Sequence, residues 1–242
     1  MSKQRLDKLL AAQGRWSRRE VRDLTDRGLV TLNGAPCRRA DTKVDADADT
    51  VAVGGQEVPL REHVYIMLHK PAGVVSATRD DSRPTVVDLV PPELGRRGLF
   101  PAGRLDKDTT GFVLLTDDGE LAHRILSPRR HIPKTYRVTV DKPLDAGLAD
   151  AFAGGLVLDG GDRCLPAELA PKGEREAEVI LRQGMYHQIK RMFTACGYEV
   201  TALHRTAMGG VPLDPALAPG QWRELTPDEV AALESPLGFD KK

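Results

Sequence analysis

The chain of 242 residues has only three cysteines, Cys37, Cys164 and Cys196. They are odd in number, far apart, and form no Cys-x-x-Cys pair, which excludes a disulfide framework. The six histidines contain no His-Glu-x-x-His spacing, and His123, His131, His187 and His204 fit no familiar metal site. No apolar run approaches the roughly 20 residues that a membrane-spanning helix needs. Met1-Ser2-Lys3-Gln4-Arg5 is followed by amphipathic sequence rather than the continuous apolar stretch of a secretory leader. These absences lead us to expect a reduced, cytoplasmic protein with no structural metal and no membrane contact.

Net charge is also lacking. Lys+Arg and Asp+Glu both number 35, which by itself argues weakly against a nucleic-acid partner. The distribution is uneven, however. Between Lys3 and Lys43 there are roughly twice as many basic as acidic residues, among them Arg18, Arg19, Arg22, Arg38 and Arg39. A basic head on a neutral chain suits a phosphate-rich partner, with a solvated helix face as the plain alternative.

Pattern divides the chain into two blocks. Over residues 1–60, Leu6, Leu9 and Leu10 recur at helical spacing. Ser17-Arg18-Arg19-Glu20 is a capping box that opens a second helix, with Gly28 as its stop. Leu29 to Leu32 reads as a strand, Asn33-Gly34 as a tight turn, and Val51, Val53, Gly54-Gly55 and Val58 as a further hairpin. A linker is expected from Pro59 to His63. Residues 61–235 form the second block. Strands are expected at Val64–Leu68, Phe112–Leu115, Tyr136–Val140, Val179–Leu181 and Trp222–Leu225. Helices are expected at Glu120–Leu126, Leu148–Phe152 and His187–Cys196. A last helix opens on the capping box Thr226-Pro227-Asp228-Glu229. Residues 236–242 read as a disordered tail. The fold class is α+β: a small head, then a domain on an extended mixed, mainly antiparallel sheet with flanking helices.

Candidate chemistry concentrates between residues 103 and 111. Gly103-Arg104-Leu105-Asp106-Lys107-Asp108-Thr109-Thr110-Gly111 places charge, hydroxyls and two glycines in a loop that leads into a buried strand. Taken alone, Asp108 to Gly111 could be no more than a capped turn. With Leu114-Leu115-Thr116-Asp117-Asp118-Gly119, however, the segment resembles the signature loop of the RsuA/RluA group of ribosomal pseudouridine synthases. Three further segments match in order: Lys134-Thr135-Tyr136, Gly184 to Met192, and Leu203-His204-Arg205 ending in Gly209-Gly210. The head resembles an S4 RNA-binding domain.

The resemblance implies isomerisation of a uridine to pseudouridine without any cofactor. Asp106 would be the nucleophile. Lys190 matches the position that pairs with it, and a cation there favours the charged carboxylate. Tyr136 matches the tyrosine that lies against the target base. Arg104 fits the need to hold the nucleotide once it has been flipped out of its stack. Ile189 and Leu203 resemble pocket walls, with core packing as the alternative for both. Gly103, Leu105, Lys134, Arg191 and Arg205 fall in matched motifs and are expected at the RNA. So are Arg129 and Arg130, in a second basic cluster with Arg124, His131 and Arg137. Gln183 and Met185 depart from the pattern, where relatives carry an acid and a base.

Within the family, His123 to Arg129 and Leu217 to Trp222 are most similar to the small-subunit branch. The expected substrate is therefore 16S ribosomal RNA at uridine 516, naked or in an assembly intermediate, acted on by a monomer. The alternatives are a 23S RNA enzyme of the RluB/E/F type and a non-catalytic S4-domain ribosome-assembly protein.

Overall fold

The computed structural model describes residues 3–127, 130 and 132–234. The expected tail at 236–242 lies outside them, as do Arg129 and His131. Two compact units emerge: Met1–Val64 with Val90–Leu99, and Tyr65–Leu89 with Phe100–Lys242.

In the first unit, β1 (Gln4–Arg5) runs into α1 (Leu6–Ala12), followed by α2 (Arg18–Asp26), β2 (Val30–Leu32), β3 (Ala35–Pro36), β4 (Lys43–Val44), β5 (Val51–Val53) and β6 (Gln56–Glu57). The order β3-β2-β5-β6 makes a four-stranded antiparallel sheet, and β1 pairs with β4. Leu6, Leu10, Val21, Val30 and Val44 are fully buried together. The capping box of α2 is complete: Glu20 N donates to Ser17 Oγ at 3.2 Å, and Ser17 N donates to Glu20 Oε2 at 2.6 Å. Asn33 and Gly34 take φ of 52° and 80°, the mirror-image turn that matches strand twist.

Asp7 is fully buried beneath the arginines of this head. Arg5 donates to it through Nε and Nη2, both at 3.0 Å, and Arg18 Nη2 donates at 3.1 and 3.2 Å. Arg22 stands 3.7 Å away. The hydrogen bond from Arg5 outweighs burial and holds the carboxyl at about 2. Arg39 is paired with Asp41 at 3.1 Å. Among the described residues, Arg19 and Arg38 are exposed and make no ion pair.

The segment Val90–Leu99, which carries α3 (Pro92–Gly95), belongs to this first unit. Arg97 ties it down: Nη1 donates to Gln13 Oε1 at 2.8 Å, and Nη2 donates to the carbonyls of Arg61 and Glu62 at 3.2 and 3.0 Å.

The second unit contains β7 (Tyr65–Lys70), β8 (Phe100–Pro101), β9 (Thr110–Thr116), α4 (Gly119–Leu126), β10 (Lys134–Val140), α5 (Leu148–Gly154), β11 (Glu168–Pro171), β12 (Glu176–Leu181), α6 (Gln188–Ala195), β13 (Val200–Met208), β14 (Val211–Pro212), β15 (Trp222–Glu224) and α7 (Pro227–Leu233). The main path of the sheet is β11-β12-β10-β13-β9-β7-β15, with β14 on β13 and β8 on β9. All pairings are antiparallel except β9 with β13, so the sheet is mixed and mainly antiparallel, as expected. Met67, Phe112, Leu114, Leu121, Ile125, Met208 and Leu233 share a core with α4 and α7. Phe152 of α5 packs on Phe193 of α6, with ring centroids 5.0 Å apart.

The parallel crossing sets the site. Gly111 lies opposite Arg205, so close that a Cβ would collide with the Arg205 backbone, and its φ is 106°. Only glycine fits both conditions. The loop 103–109 is therefore delivered at the point where β9 meets β13.

Candidate active site

Asp106 stands at the turn before β9, with its side chain 26% exposed. Lys190, on the first turns of α6, places Nζ 3.3 Å from Asp106 Oδ2. It grips Asp108 more closely, with Nζ 2.7 and 2.8 Å from the two carboxylate oxygens. The expected Asp106–Lys190 pair is thus a shared contact in which Asp108 takes the shorter distances. Partial burial works against the Lys190 cation, but the Asp108 hydrogen bond and both carboxylate charges outweigh it and raise its pKa. Lys190 in turn lowers that of Asp108. A fourth group joins them, because His187 Nε2 lies 3.4 Å from Asp106 Oδ1.

The loop is fixed from below by Lys70 and Ser76, whose side chains the sequence did not single out, and by Gly73, whose turn resembles the family's and is expected to supply backbone geometry. Lys70 is fully buried at the end of β7. Its Nζ donates to the carbonyls of Thr109 at 2.7 Å, Pro71 at 3.0 Å and Lys107 at 3.2 Å. Burial pushes its pKa down to about 8, against the pull of Asp108 and Asp106. Ser76 Oγ donates to Leu105 O and accepts from Leu105 N, both at 3.0 Å. Gly73 N donates to Lys107 O at 2.8 Å, so the Lys70-Pro71-Ala72-Gly73 turn serves as a backbone support. A lysine ending an otherwise apolar strand was the available signal for Lys70.

Asp106, His187 and Lys190 open onto a cleft of about 1020 Å³. Asp106, Arg104, Gly103, Leu105, Lys134, Tyr136, Ile189, Lys190, Leu203 and Arg205 all border it, so the cleft collects most of the residues singled out in the second block. Arg104 is exposed, and among the described residues nothing bonds to its guanidinium. Tyr136 and Ile189 are buried side chains that reach the cleft wall. Lys134 is half-buried, and burial together with the Arg205 charge lowers its amine to about 8.

Several residues expected at the RNA are engaged by other groups of the protein. Arg205 is 1% exposed, with Nε donating to Phe112 O at 2.7 Å. Its position in the middle of β13 makes it a tie between strands at the border of the cleft. Arg191 does not line the cleft; its Nη2 donates to Asp162 at 2.7 Å and to Asp159 O at 3.0 Å. Arg124 and Arg130 converge on Glu234, at 2.8 and 3.1 Å. The second basic cluster is therefore partly neutralised. Gln183, flagged as a departure, accepts from Leu165 N at 2.9 Å and Gln188 Nε2 at 3.1 Å. A neutral side chain can join two loops where an acid would bring a charge. Among the described residues, no cluster of His, Cys, Asp or Glu could hold a metal ion.

The RNA pseudouridylate synthase family profile matches residues 64–195, and the S4 domain profile matches residues 4–50. The chain belongs to the RNA pseudouridylate synthase family. As a pseudouridine synthase it is 47% identical to a Bacillus subtilis protein named as an uncharacterized RNA pseudouridine synthase, across 96% of this chain and 99% of that one. It is 42% identical to the ribosomal small subunit pseudouridine synthase A of Pseudomonas aeruginosa, over 95% of this chain and all of the relative. The Escherichia coli protein of that name is 41% identical, over 95% and 99%. A crystal structure of a pseudouridylate synthase aligns with a TM-score of 0.68 at 36% identity, covering 95% of this synthase and 99% of the other chain.

Proposed function

We propose that this synthase isomerises one uridine of 16S ribosomal RNA, at position 516, with Asp106 as nucleophile. One observation carries the reading. The Asp106 carboxylate sits in an open cleft within 3.3 Å of an ammonium and 3.4 Å of an imidazole, with Tyr136 lining the same cleft. Pseudouridine formation breaks the bond from C1′ to N1, rotates the uracil, and joins C1′ to C5, while C5 loses a proton and N1 gains one. A fixed carboxylate can supply the covalent step that splits this exchange in two. Lys190 complements its negative charge. Tyr136 offers a ring face to uracil, and the free guanidinium of Arg104 holds the flipped nucleotide, whose extrusion costs a few kcal/mol. The preference for small-subunit RNA is supported by the names of two of the relatives. The exposed arginines of the S4 head add phosphate contacts around the target.

Asp106→Asn is expected to abolish isomerisation and leave RNA affinity within about twofold. Pseudouridine mapping of ribosomal RNA from cells with and without the gene, and with this variant, tests both the chemistry and the target. Pseudouridine still formed at the normal rate by the variant would refute the assigned nucleophile. An unaltered 16S position in the deletion strain would refute the assigned target.

A further inference from the structure

Tyr186 is the most exposed large hydrophobic side chain among the described residues, at 73%. Five such side chains are exposed, and three of them, Leu126, Leu165 and Tyr186, border the Asp106 cleft. Single exposed apolar groups are ordinary, but their gathering at one site marks a binding surface. The Tyr186 ring does not hang loose. It lies flat on the His187 imidazole, with centroids 3.9 Å apart and planes 16° from parallel.

The backbone beneath holds that pose. His187 takes φ 47° and ψ 35°, a left-handed conformation that a non-glycine residue keeps only where its surroundings impose it. Met185 N donates to Gln188 Oε1 at 3.0 Å, Gln188 Nε2 donates to Gln183 at 3.1 Å, and Arg191 Nη1 donates to Tyr186 O at 3.4 Å. One face of the Tyr186 ring is covered by His187, whose Nε2 lies 3.4 Å from Asp106 Oδ1. The cleft, at about 1020 Å³, lies at the upper end of the roughly 300–1,000 Å³ typical of single-ligand pockets. There is room for more than the reacting nucleotide.

We propose that the outer face of Tyr186 is a stacking platform for the unpaired nucleobase next to the flipped uridine, with His187 as the positioning residue behind it. This deepens the reading of the cleft as a uridine site and rests on it. Flipping the uridine strips its neighbour of a stacking partner. A preset aromatic face replaces that partner and so favours the flipped state. Every base has a π face, so the platform serves geometry rather than sequence. Arg83 and Arg182 border the same cleft, paired with Asp80 at 3.0 Å and Glu168 at 3.4 Å, and would have to share or exchange those partners to hold the phosphate of that neighbouring nucleotide.

The test uses the full chain and a 16S RNA fragment carrying 2-aminopurine, whose fluorescence is quenched on stacking, on either side of the target uridine. Binding to Asp106→Asn protein should quench the fluorophore on one side. Adding Tyr186→Ala should remove that quench. In the otherwise native enzyme Tyr186→Ala should raise KM about tenfold, with a smaller fall in kcat, as expected for loss of one base stack. Tyr186→Phe should restore both the quench and KM. Since the side chain is largely in solvent, thermal melting should confirm that the alanine variant folds. Unchanged quenching and KM in Tyr186→Ala would overturn the platform, and so would a phenylalanine variant as impaired as the alanine one. If the native enzyme forms no pseudouridine while the Tyr186-dependent quench persists, the reaction assignment fails and the platform stands. If pseudouridine forms and Tyr186→Ala is indifferent, the platform alone fails.

Discussion

At the scale of single residues, the site is governed by how one ammonium is divided between two carboxylates. Asp108 holds Lys190 with both oxygens while Asp106 receives the longer contact. Asp108 thus orients the lysine and helps keep it charged. Asp108→Asn removes a contribution that raises the Lys190 pKa, so that pKa must fall. Any activity that requires the charged lysine should then be lost at lower pH on the alkaline side. We expect the alkaline limb of the kcat profile to move down in pH, with up to about tenfold loss at neutral pH from poorer orientation. An alkaline limb that stays in place would separate Asp108 from the function of Lys190. That Asp106, Tyr136 and Lys190 meet at one cleft was legible in the sequence because their motifs resemble the family's in order. The bidentate grip of Asp108 and the approach of His187 to Asp106 were not. They depend on where α6 meets the loop, and residues 82 apart in sequence carry no periodic signal of that meeting.

At the scale of elements, the end of β7 and the start of β9 form one support. Lys70 satisfies three carbonyls of the loops it lies under. Lys70→Met keeps most of the apolar stem and removes the donor shared by the three carbonyls, of which Lys107 O keeps a second donor, Gly73 N. A destabilisation of about 2–3 kcal/mol is expected. Activity should fall further than RNA binding, because the Asp106 loop loses its footing. Thermal melting and single-turnover kinetics check this, and an unchanged melting temperature would show the amine to be dispensable. Elements that announce themselves chemically were readable: the capping boxes at Ser17 and Thr226 and the Asn33-Gly34 turn occur where expected. Two-residue strands such as β1, β4 and β8 were not, because two residues cannot display a period. The strand β13 came from the resemblance alone; its His204 and Arg205 interrupt the apolar alternation that would have marked it. For Arg205 the sequence shows the charge but not its burial in the middle of a sheet at the border of the cleft.

At the scale of the whole molecule, zero net charge conceals a head whose arginines are organised by one buried acid, Asp7. The division of the chain is less simple than a head followed by a body. Residues 90–99 lie within the span of the catalytic family profile yet pack with the head, so the backbone passes between the two units three times, after Val64, Leu89 and Leu99. Composition could suggest a linker at Pro59 to His63, but nothing in it marks a returning segment. The return changes what a single cut can do. A protease that nicks the chain between Pro59 and Leu60 should leave a fragment of about 60 residues still clasped by Arg97 and its partners, migrating with the remainder through gel filtration and separating only in denaturant. A fragment that drifts away under native conditions would mean that the clasp is too weak to matter. The head is fastened like a buckle, with the strap passed through and back, and deleting it would bare the returning segment as well as remove the arginines.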